Sequence, residues 1–278
     1  MIIDQADVER VIGIARDAGE LVLSMQRAGL QNVSSKSNAN DLVTEADLAS
    51  EQLIRDALAA DFPGVGFWGE ESNQLPDEES FWLVDPIDGT VNYAHGVPYF
   101  AVNIALNKGG ETLLAITPAL PSGTIYWGQA GEGAYVRNGG SDVRLQVNTL
   151  QHLQDSLLST GFPYTRAETA DNNAMEFAYF MPRCRGVRRM GTAAIDLALV
   201  AAGVFAAHWE GDLNPWDIAP GALLIREAGG RVTDYEGNDW THANRQFIAS
   251  NGNPRIHASM VEGIFRARTL LREIAPAA

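Results

Sequence analysis

The stretch WLVDPIDGTVNYAHG, residues 82–96, begins like a buried strand and then breaks that pattern. Residues 82–84 are apolar and predict a strand over 81–84, and the next six residues, 85–90, include two aspartates, a proline and a glycine. Gly89 lacks a side chain, so backbone N–H groups beside it could approach an anion such as phosphate. Two carboxylates next to an anion favour a bridging cation, and Mg²⁺ prefers such oxygen ligands. An ordinary β-turn explains the same residues, because Asp, Pro and Gly are turn formers.

The composition limits the kinds of protein that this chain can be. Its 278 residues allow one large domain or two closely packed ones, and 46% apolar residues supply an ample core. A net charge of −15 argues against nucleic-acid binding. No apolar run reaches the roughly 18 residues of a membrane span, and no basic segment indicates a secretory signal. Cys184 is the single cysteine, which excludes an internal disulfide and favours a cytoplasmic location.

The periodicity of the chain changes near residue 145. Apolar residues at helical spacing predict helices over 4–28 and 45–60. Strands are predicted over 66–69 and 81–84, and the short apolar runs that follow, separated by Gly- and Pro-bearing turns, predict an antiparallel meander with strands 100–106, 112–117, 124–128 and 133–137. Later strands alternate with helices, including helices over 192–202 and 217–228, which is typical of an α/β arrangement. We therefore predict two units, an α+β domain over 1–145 that binds metal and phosphate and an α/β domain over 146–278 that completes the site.

Four other stretches carry polar residues at the ends of predicted elements, and each has a purely structural explanation. GEES, 69–72, follows a strand and is also typical of a solvated loop. DLVTEAD, 41–47, has capping-box spacing between Thr44 and Asp47. Asp217, in WDIAP at 216–220, could simply cap the helix that follows, with Pro220 in its first turn. GTAA, 191–194, is equally typical of a helix start.

Taken together, the five stretches resemble the inositol monophosphatase family, Mg²⁺-dependent and lithium-sensitive phosphomonoesterases. The similarity extends over nearly the whole chain, with DLVTEAD, GEES, DPIDGTVNYAHG, GTAAIDLALV and WDIAPGALLIREAGG in the family's order. This resemblance implies an αβαβα layered fold, rich in antiparallel strands in its first half and mixed in its second. It also implies a homodimer that binds about two to three Mg²⁺ ions per site and a small phosphomonoester substrate.

The resemblance also implies roles for particular residues. Glu70, Asp85 and the carbonyl of Ile87 would hold one metal, and Asp85, Asp88 and Asp217 a second, with Glu70 assisting a third through water. Catalysis would rely on Glu70, and on Thr90, oriented by Asp47, to position the attacking water. The substrate would meet a further set of residues: Asp88, Gly89, Thr90, Gly191, Thr192, Ala193, Glu210 and Asp217.

The substrate stays open among related chemistries. Glu210 favours a polyol such as inositol monophosphate, whereas fructose-1,6-bisphosphatase, histidinol-phosphatase and 3′-phosphoadenosine 5′-phosphate phosphatase share the same motifs. A bisphosphate would need a further basic contact, which the sequence does not place. One basic run has two interpretations: it is typical of a solvated face or a dimer contact, and alternatively one of its arginines could reach a substrate phosphate. Its residues are Arg183, Arg185, Arg188 and Arg189. Lys36 is a candidate neighbour of the third ion, and a non-catalytic partner-binding protein on this fold is a remote alternative.

Overall fold

The computed structural model describes residues 3–29, 33–35 and 42–274. Its helices are α1 Gln5–Ala28, α2 Glu45–Asp61, α3 Thr90–Ala94, α4 Ala174–Phe180, α5 Ala193–Ala201, α6 Pro215–Glu227 and α7 Pro254–Ile274. Its strands are β1 Val33–Ser35, β2 Leu42–Thr44, β3 Gly66–Gly69, β4 Ser80–Asp88, β5 Phe100–Lys108, β6 Glu111–Leu120, β7 Thr124–Gln129, β8 Gly133–Asn138, β9 Ser141–Arg144, β10 Leu157–Thr160, β11 Gly186–Arg188, β12 Ala207–Gly211, β13 Arg231–Thr233 and β14 Gln246–Ser250. Lys36 and Asp41 lie outside the described residues.

The first half of the chain builds a seven-stranded sheet in the order β3-β4-β5-β6-β7-β8-β9. Every neighbouring pair is antiparallel except β3 and β4, which are parallel. The predicted meander is therefore confirmed. The edge strand β9 was not predicted, because all four of its side chains are exposed and it shows no apolar alternation.

The second half builds a five-stranded sheet in the order β11-β10-β12-β14-β13. Strand β10 pairs in parallel with β11 and β12, whereas β14 pairs antiparallel with β12 and β13. This mixed sheet confirms the predicted change of architecture. The division of the chain at residue 145 into two domains stays a prediction.

Five layers result, in the order helix, sheet, helix, sheet, helix, which confirms the αβαβα prediction. Helices α1 and α2 cover one face of the large sheet, α5 and α6 lie between the sheets, and α4 and α7 cover the far face of the small sheet. In β4, Val84 packs in the core beneath α1 and α2, and Leu83 in the core around α5 and α6. Both faces of this strand are buried, so it reads as a continuous apolar run rather than an alternating one. Within the described ranges, no helix has the length and apolar character needed to cross a membrane.

Candidate active site

The first four residues of DPIDGT, 85–88, form a bulge in β4 rather than a turn beyond its end. Asp85 lies opposite Asn103 and Asp88 opposite Ala101, so β4 carries one residue more than its partner between these positions. Pro86 falls inside this irregularity, where its missing N–H costs no ladder hydrogen bond. The predicted end of the strand at residue 84 is therefore wrong, because the bulge allows pairing to resume and continue to Asp88. Both aspartates thus belong to a strand and not to a loop.

Gly89 follows with φ +94°, in the left-handed region that a side chain disfavours. A Cβ on this residue would lie 3.1 Å from the carbonyl oxygen of Gly191 and 3.3 Å from the Cβ of Thr192. The glycine therefore lets the DPIDGT segment pack directly against the start of α5. The short helix α3 begins at Thr90, so the backbone N–H groups beside Gly89 lie at a helix start, as the predicted approach of an anion requires.

Five acidic residues line one cavity of about 290 Å³, and four of them are those that the resemblance implies for metal binding. Glu70 follows β3, Asp85 and Asp88 lie on β4, and Asp217 lies in the first turn of α6. We refer to these four as the carboxylate centre. The backbone of Ile87, Gly89 and Thr90 lines the same cavity. The fold thus brings together all the residues that the resemblance implies for metal binding, while their role as ligands stays a prediction.

Asp217 occupies the third position of α6 and is not its N-cap. Asn214 is the N-cap, and its backbone N–H donates to Asp217 Oδ2 at 2.7 Å. The sequence prediction that this helix begins at residue 217 was wrong, since Pro215 supplies the first turn. The capping contact still holds the carboxylate at the helix start, so structural and chemical roles for Asp217 coincide.

Pro220 also lies deeper in α6 than predicted, inside the helix rather than in its first turn. A proline there cannot donate to the carbonyl four residues earlier, which belongs to Trp216. The buried side chain of Asn103 compensates: its Nδ2 donates to Trp216 O at 3.2 Å. The hydroxyl of Thr117 in turn donates to Asn103 Oδ1 at 2.6 Å and fixes the orientation of the amide.

Burial and mutual repulsion dominate the electrostatics of the carboxylate centre. Burial, followed by the charge of Glu70, raises the pKa of Asp85 and of Asp217 well above the usual range. Burial also raises the pKa of Asp88 to about 6, against hydrogen bonds from the Thr192 hydroxyl and from the Ala194 N–H at 2.6 Å, which lower it. The charged neighbours that act most strongly on these three groups are all acidic.

The donor chemistry of the centre fits a hard cation, because carboxylate and carbonyl oxygens are the ligands that Mg²⁺ prefers. Within the part of the chain that the structure describes, no three acidic, histidine or cysteine side chains form a preformed metal cage. The reason is visible in the hydrogen bonds. Asp85 bonds to Glu70, Asp88 accepts from the start of α5, and Asp217 accepts from Asn214. For a cation to bind here, the contact between Asp85 and Glu70 would have to give way to coordination of the cation by both carboxylates.

Asp47 and Thr90 lie beside the centre and contact each other. Asp47 is fully buried at the start of α2, where its Oδ2 accepts from the backbone N–H of Thr44 at 2.7 Å and from its hydroxyl at 2.6 Å. This is the capping box that the sequence predicted. Thr90 Oγ lies 3.2 Å from Asp47 Oδ1 and 3.0 Å from the carbonyl oxygen of Ile87. Its single proton can serve only one of these acceptors fully.

A second cavity of about 50 Å³ adjoins the first, and Asp88 lines both. It also contains the other residues assigned to the substrate by resemblance: Gly191, Thr192, Ala193 and Glu210. The predicted site residues therefore divide between a larger, carboxylate-lined cavity and a smaller one at the start of α5. Asp47 lines neither cavity and reaches the site through Thr90.

Several residues around the two cavities were missed by sequence reasoning. Tyr164, Asp212 and Leu213 line both cavities, and Arg245 lines the larger one. Arg189, from the basic run, lines the smaller one. Strand-end position is a signal that could have found Tyr164 and Asp212, because both follow strands of the small sheet. Burial raises the pKa of Cys184, although Arg183 and Arg185 flank it in the sequence.

The five-layer fold and the carboxylate centre are those expected of a metal-dependent phosphatase. Comparison with known proteins agrees: the chain belongs to the inositol monophosphatase family, whose model matches residues 4–268. Inositol-1-monophosphatase of Caulobacter vibrioides is 38% identical over 253 residues, spanning 90% of this chain and 94% of that protein. Nus factor SuhB of Pseudomonas aeruginosa is 38% identical over 244 residues, 85% of this chain and 88% of that protein.

Solved structures show the same relationship. The inositol monophosphatase of Anabaena (Nostoc) sp. PCC 7120 superimposes with a TM-score of 0.83 at 34% identity, covering 94% of this chain and 96% of that one. The protein is therefore a phosphoric monoester hydrolase. The family to which it belongs is generally metal-dependent.

Proposed function

We propose that the protein hydrolyses a small polyol phosphate, with myo-inositol monophosphate as the preferred substrate, and that it requires Mg²⁺. The observation that carries this proposal is the pair of adjoining cavities. One contains the four acids of the carboxylate centre, whose repulsion a cation would relieve, and the other contains Glu210, an acceptor suited to hydroxyl groups. Metal and phosphate would occupy the first, and the alcohol the second.

The acids would hold two to three cations, about as many as the family resemblance implies. Glu70, Asp85 and the carbonyl of Ile87 would ligate one, and Asp85, Asp88 and Asp217 another. Bound Mg²⁺ would supply charge neutralisation of the phosphate and acidification of water. Backbone N–H groups of Gly89 and Thr90 would donate to the phosphate oxygens.

Thr90 and Asp47 would direct the attacking water. When the Thr90 hydroxyl donates its hydrogen bond to Asp47 Oδ1, the lone pairs of Thr90 Oγ are available to accept a proton from water. Thr44 holds the other oxygen of Asp47 with two hydrogen bonds, so the acceptor keeps its orientation. The proton that leaves water would pass to Thr90 as the proton of Thr90 passes to Asp47. Thr90 would therefore act in proton transfer and not as a nucleophile.

A second candidate is a substrate with another anionic group, such as a bisphosphate. Sequence reasoning could not place the basic contact that this requires, and the structure offers Arg245 at the larger cavity and Arg189 at the smaller. Arg245 is already paired with Asp212 at 2.9 Å and donates to Asn214 Oδ1 at 3.0 Å. This pairing reduces its attraction for a second phosphate, so the monophosphate stays our first choice.

Phosphate release from a panel of esters tests the proposal directly. The panel comprises inositol 1-phosphate, fructose 1,6-bisphosphate, histidinol phosphate and 3′-phosphoadenosine 5′-phosphate. We expect excess chelator to abolish turnover, Mg²⁺ to restore it, and inositol 1-phosphate to give the highest kcat/KM. Full activity in chelator would overturn the metal-dependent mechanism, whereas a higher kcat/KM for a bisphosphate would favour the second candidate.

The family resemblance adds three expectations with simple tests. Li⁺ should inhibit by occupying the more weakly held metal position, which is tested by inhibition at limiting and saturating Mg²⁺. The protein should be a homodimer, measurable by analytical ultracentrifugation, and should reside in the cytoplasm. The name of the Pseudomonas relative suggests a role in a protein assembly beside catalysis. An active-site variant that keeps such an interaction would separate that role from hydrolysis.

A further inference from the structure

A buried hydrogen-bonded cluster lies beside the smaller cavity, and of its residues the reaction proposed above uses only Glu210. His208 and Glu210 lie on the same face of β12; the carboxylate lines the cavity, and the imidazole is fully buried. His208 Nε2 lies 3.2 Å from Glu210 Oε2, and His208 Nδ1 lies 2.8 Å from Ser159 Oγ. Tyr99 donates to Asp196 Oδ1 at 3.0 Å, and Asp196 Oδ2 lies 3.7 Å from His208 Nδ1. We call these five residues the histidine cluster.

For a neutral imidazole at position 208, the hydrogen bonds select one tautomer. An ionised carboxylate can only accept, so the Nε2 that faces Glu210 must carry a proton. Nδ1 is then an acceptor, and the hydroxyl of Ser159 donates to it. The 3.7 Å separation from Asp196 is too long for a hydrogen bond. The direct contact that His208 makes with the cavity wall is therefore its N–H bond to Glu210.

Gly161 confines the same carboxylate from the opposite side. A Cβ on Gly161 would lie only 1.8 Å from Glu210 Oε1 and 2.4 Å from Oε2, so the carboxylate rests on bare backbone. The imidazole cannot tilt away freely, because it stacks on Phe247 with ring centroids 5.4 Å apart and planes at 25°. Glu210 is thus held between a glycine and a fixed donor. His208 engages Oε2, and Oε1 keeps lone pairs with which it could accept from a ligand in the cavity that Glu210 lines.

We propose that His208 is a positioning residue that fixes Glu210 for recognition of hydroxyl groups on the leaving alcohol. The inference rests on the proposed phosphatase function and adds to it the source of the polyol preference. His208 lines neither active-site cavity, so it would contact neither phosphate nor cation. Its loss should therefore affect substrates with hydroxyl-bearing alcohols and spare those without.

The test compares two substrates in two independent variants. In His208→Phe the aromatic stack on Phe247 is kept and the N–H donor is lost. In Gly161→Ala the histidine is unchanged and the added methyl group displaces the carboxylate from the other side. For both variants we expect KM for inositol 1-phosphate to rise about tenfold, the scale of one hydrogen bond to a charged group, with little change in kcat. Both constants for p-nitrophenyl phosphate, whose alcohol has no further hydroxyl, should stay within about twofold of wild type, the scale of a few tenths of a kcal/mol.

Two further variants sharpen the result. His208→Gln offers a side-chain N–H in place of Nε2 and should recover part of the affinity for inositol 1-phosphate. His257→Phe is the matched control, since this histidine is also buried and is bonded by Ser250 and Thr233, but it lines a different cavity. It should leave the ratio of the two KM values unchanged.

The outcomes separate the inference from the function on which it rests. Equal losses with both substrates, or no change in KM for inositol 1-phosphate in either variant, would overturn the role of His208 while the phosphatase assignment stands. A wild-type protein that releases no phosphate from any ester with Mg²⁺ would overturn the proposed function itself. Activity of each variant on p-nitrophenyl phosphate shows that it is folded.

Discussion

The carboxylate centre and the histidine cluster are neighbouring groups that hold their acidic residues in opposite arrangements. In the centre, Asp85 and Glu70 meet each other, and repulsion adds to burial in raising the pKa of Asp85. In the cluster, Asp196 accepts from a tyrosine and Glu210 from His208. Buried charge is costly unless it is paired and hydrogen-bonded. The difference indicates that the first region needs an added cation, whereas the second already contains its own donors.

Asp217→Asn is the change with the largest expected effect on this comparison. The amide keeps the shape and an acceptor for Asn214 but cannot neutralise a cation, so kcat/KM should fall roughly 10³-fold or more. Because the folded-state pKa of Asp217 is raised, its charge destabilises the folded protein above that pKa, and the neutral amide should raise Tm without metal. Kinetics and thermal unfolding, with and without Mg²⁺, measure both.

Asp234→Asn is the matched control for this prediction. Asp234 accepts backbone N–H groups of Glu236 and Asn238 in a tight turn away from both active-site cavities, and its amide should change neither rate nor metal response. If Asp217→Asn instead lowered Tm and left catalysis intact, Asp217 would be only a capping residue of α6. The proposed cation site would then lose one of its four carboxylate ligands.

The contact between Asp47 and Thr90 gives the next largest effect. Thr90→Ala and Asp47→Asn should each lower kcat roughly 10²–10⁴-fold, the range for a positioned proton acceptor. The double variant should lose little more than the worse single variant, because the two residues act as one unit. Thr90→Ser keeps the hydroxyl and should keep most activity. A single turnover in ¹⁸O-water should place one labelled oxygen in the phosphate; a phosphothreonine at position 90 trapped by acid would contradict this mechanism.

How well the sequence predicted the molecule depended on the range of the interactions involved. The capping box of Thr44 and Asp47 was predicted correctly, because it involves residues three apart on one helix turn. The end of β4 was placed too early, since the bulge at Pro86 shows only in the register with β5. Strand β9 has no apolar pattern at all. Local signals therefore located elements, while irregular pairing decided their ends.

The same distinction applies to the candidate site. Glu70 and Asp85 were found because each follows an apolar run, Asp217 because it precedes a predicted helix, and the family motifs grouped them with Asp88. The histidine cluster was not found: Tyr99 precedes β5, and Ser159, Asp196 and His208 lie on β10, α5 and β12, with no motif in common. They meet only because α5 packs between the two sheets. His208 was one of five histidines without metal-ligand spacing, and nothing in the sequence distinguished it.

A pH titration of stability examines the histidine cluster separately. Burial raises the pKa of Asp196 from its ordinary 3.8 to about 7. The protonated Asp196 therefore contributes stability that is fully present below about pH 4, the unfolded-state pKa, and is lost as pH rises through the folded-state pKa of about 7. In protein saturated with Mg²⁺, so that the carboxylate centre contributes little, Asp196→Asn should flatten the dependence by at most about 1.4 kcal/mol per pH unit. Denaturant unfolding at pH 5 to 8 measures the slope; an unchanged slope would mean that Asp196 is already ionised at pH 5.

The smallest expected effect concerns the support beneath the carboxylate centre. Asn103 donates to the Trp216 carbonyl that Pro220 leaves without its helix partner, one residue before Asp217. Asn103→Ala should therefore lower the free energy of unfolding by about 1–3 kcal/mol, the cost of an unsatisfied buried acceptor. Pro220→Ala restores a backbone N–H to that carbonyl, so the loss of Asn103 should cost less in its presence.

The double-mutant cycle of Asn103→Ala and Pro220→Ala measures this compensation, with a coupling energy of about 1 kcal/mol expected. Thr117→Val removes the hydroxyl that orients Asn103 and should reproduce part of the single-variant loss. Because Trp216 O lies on the same helix turn as Asp217, Mg²⁺ affinity should fall in Asn103→Ala and recover in the double variant. If the stability changes of the two variants were additive and metal affinity were unchanged, α6 would hold Asp217 without help from β5. The carboxylate centre and the histidine cluster would then differ only in their charged groups.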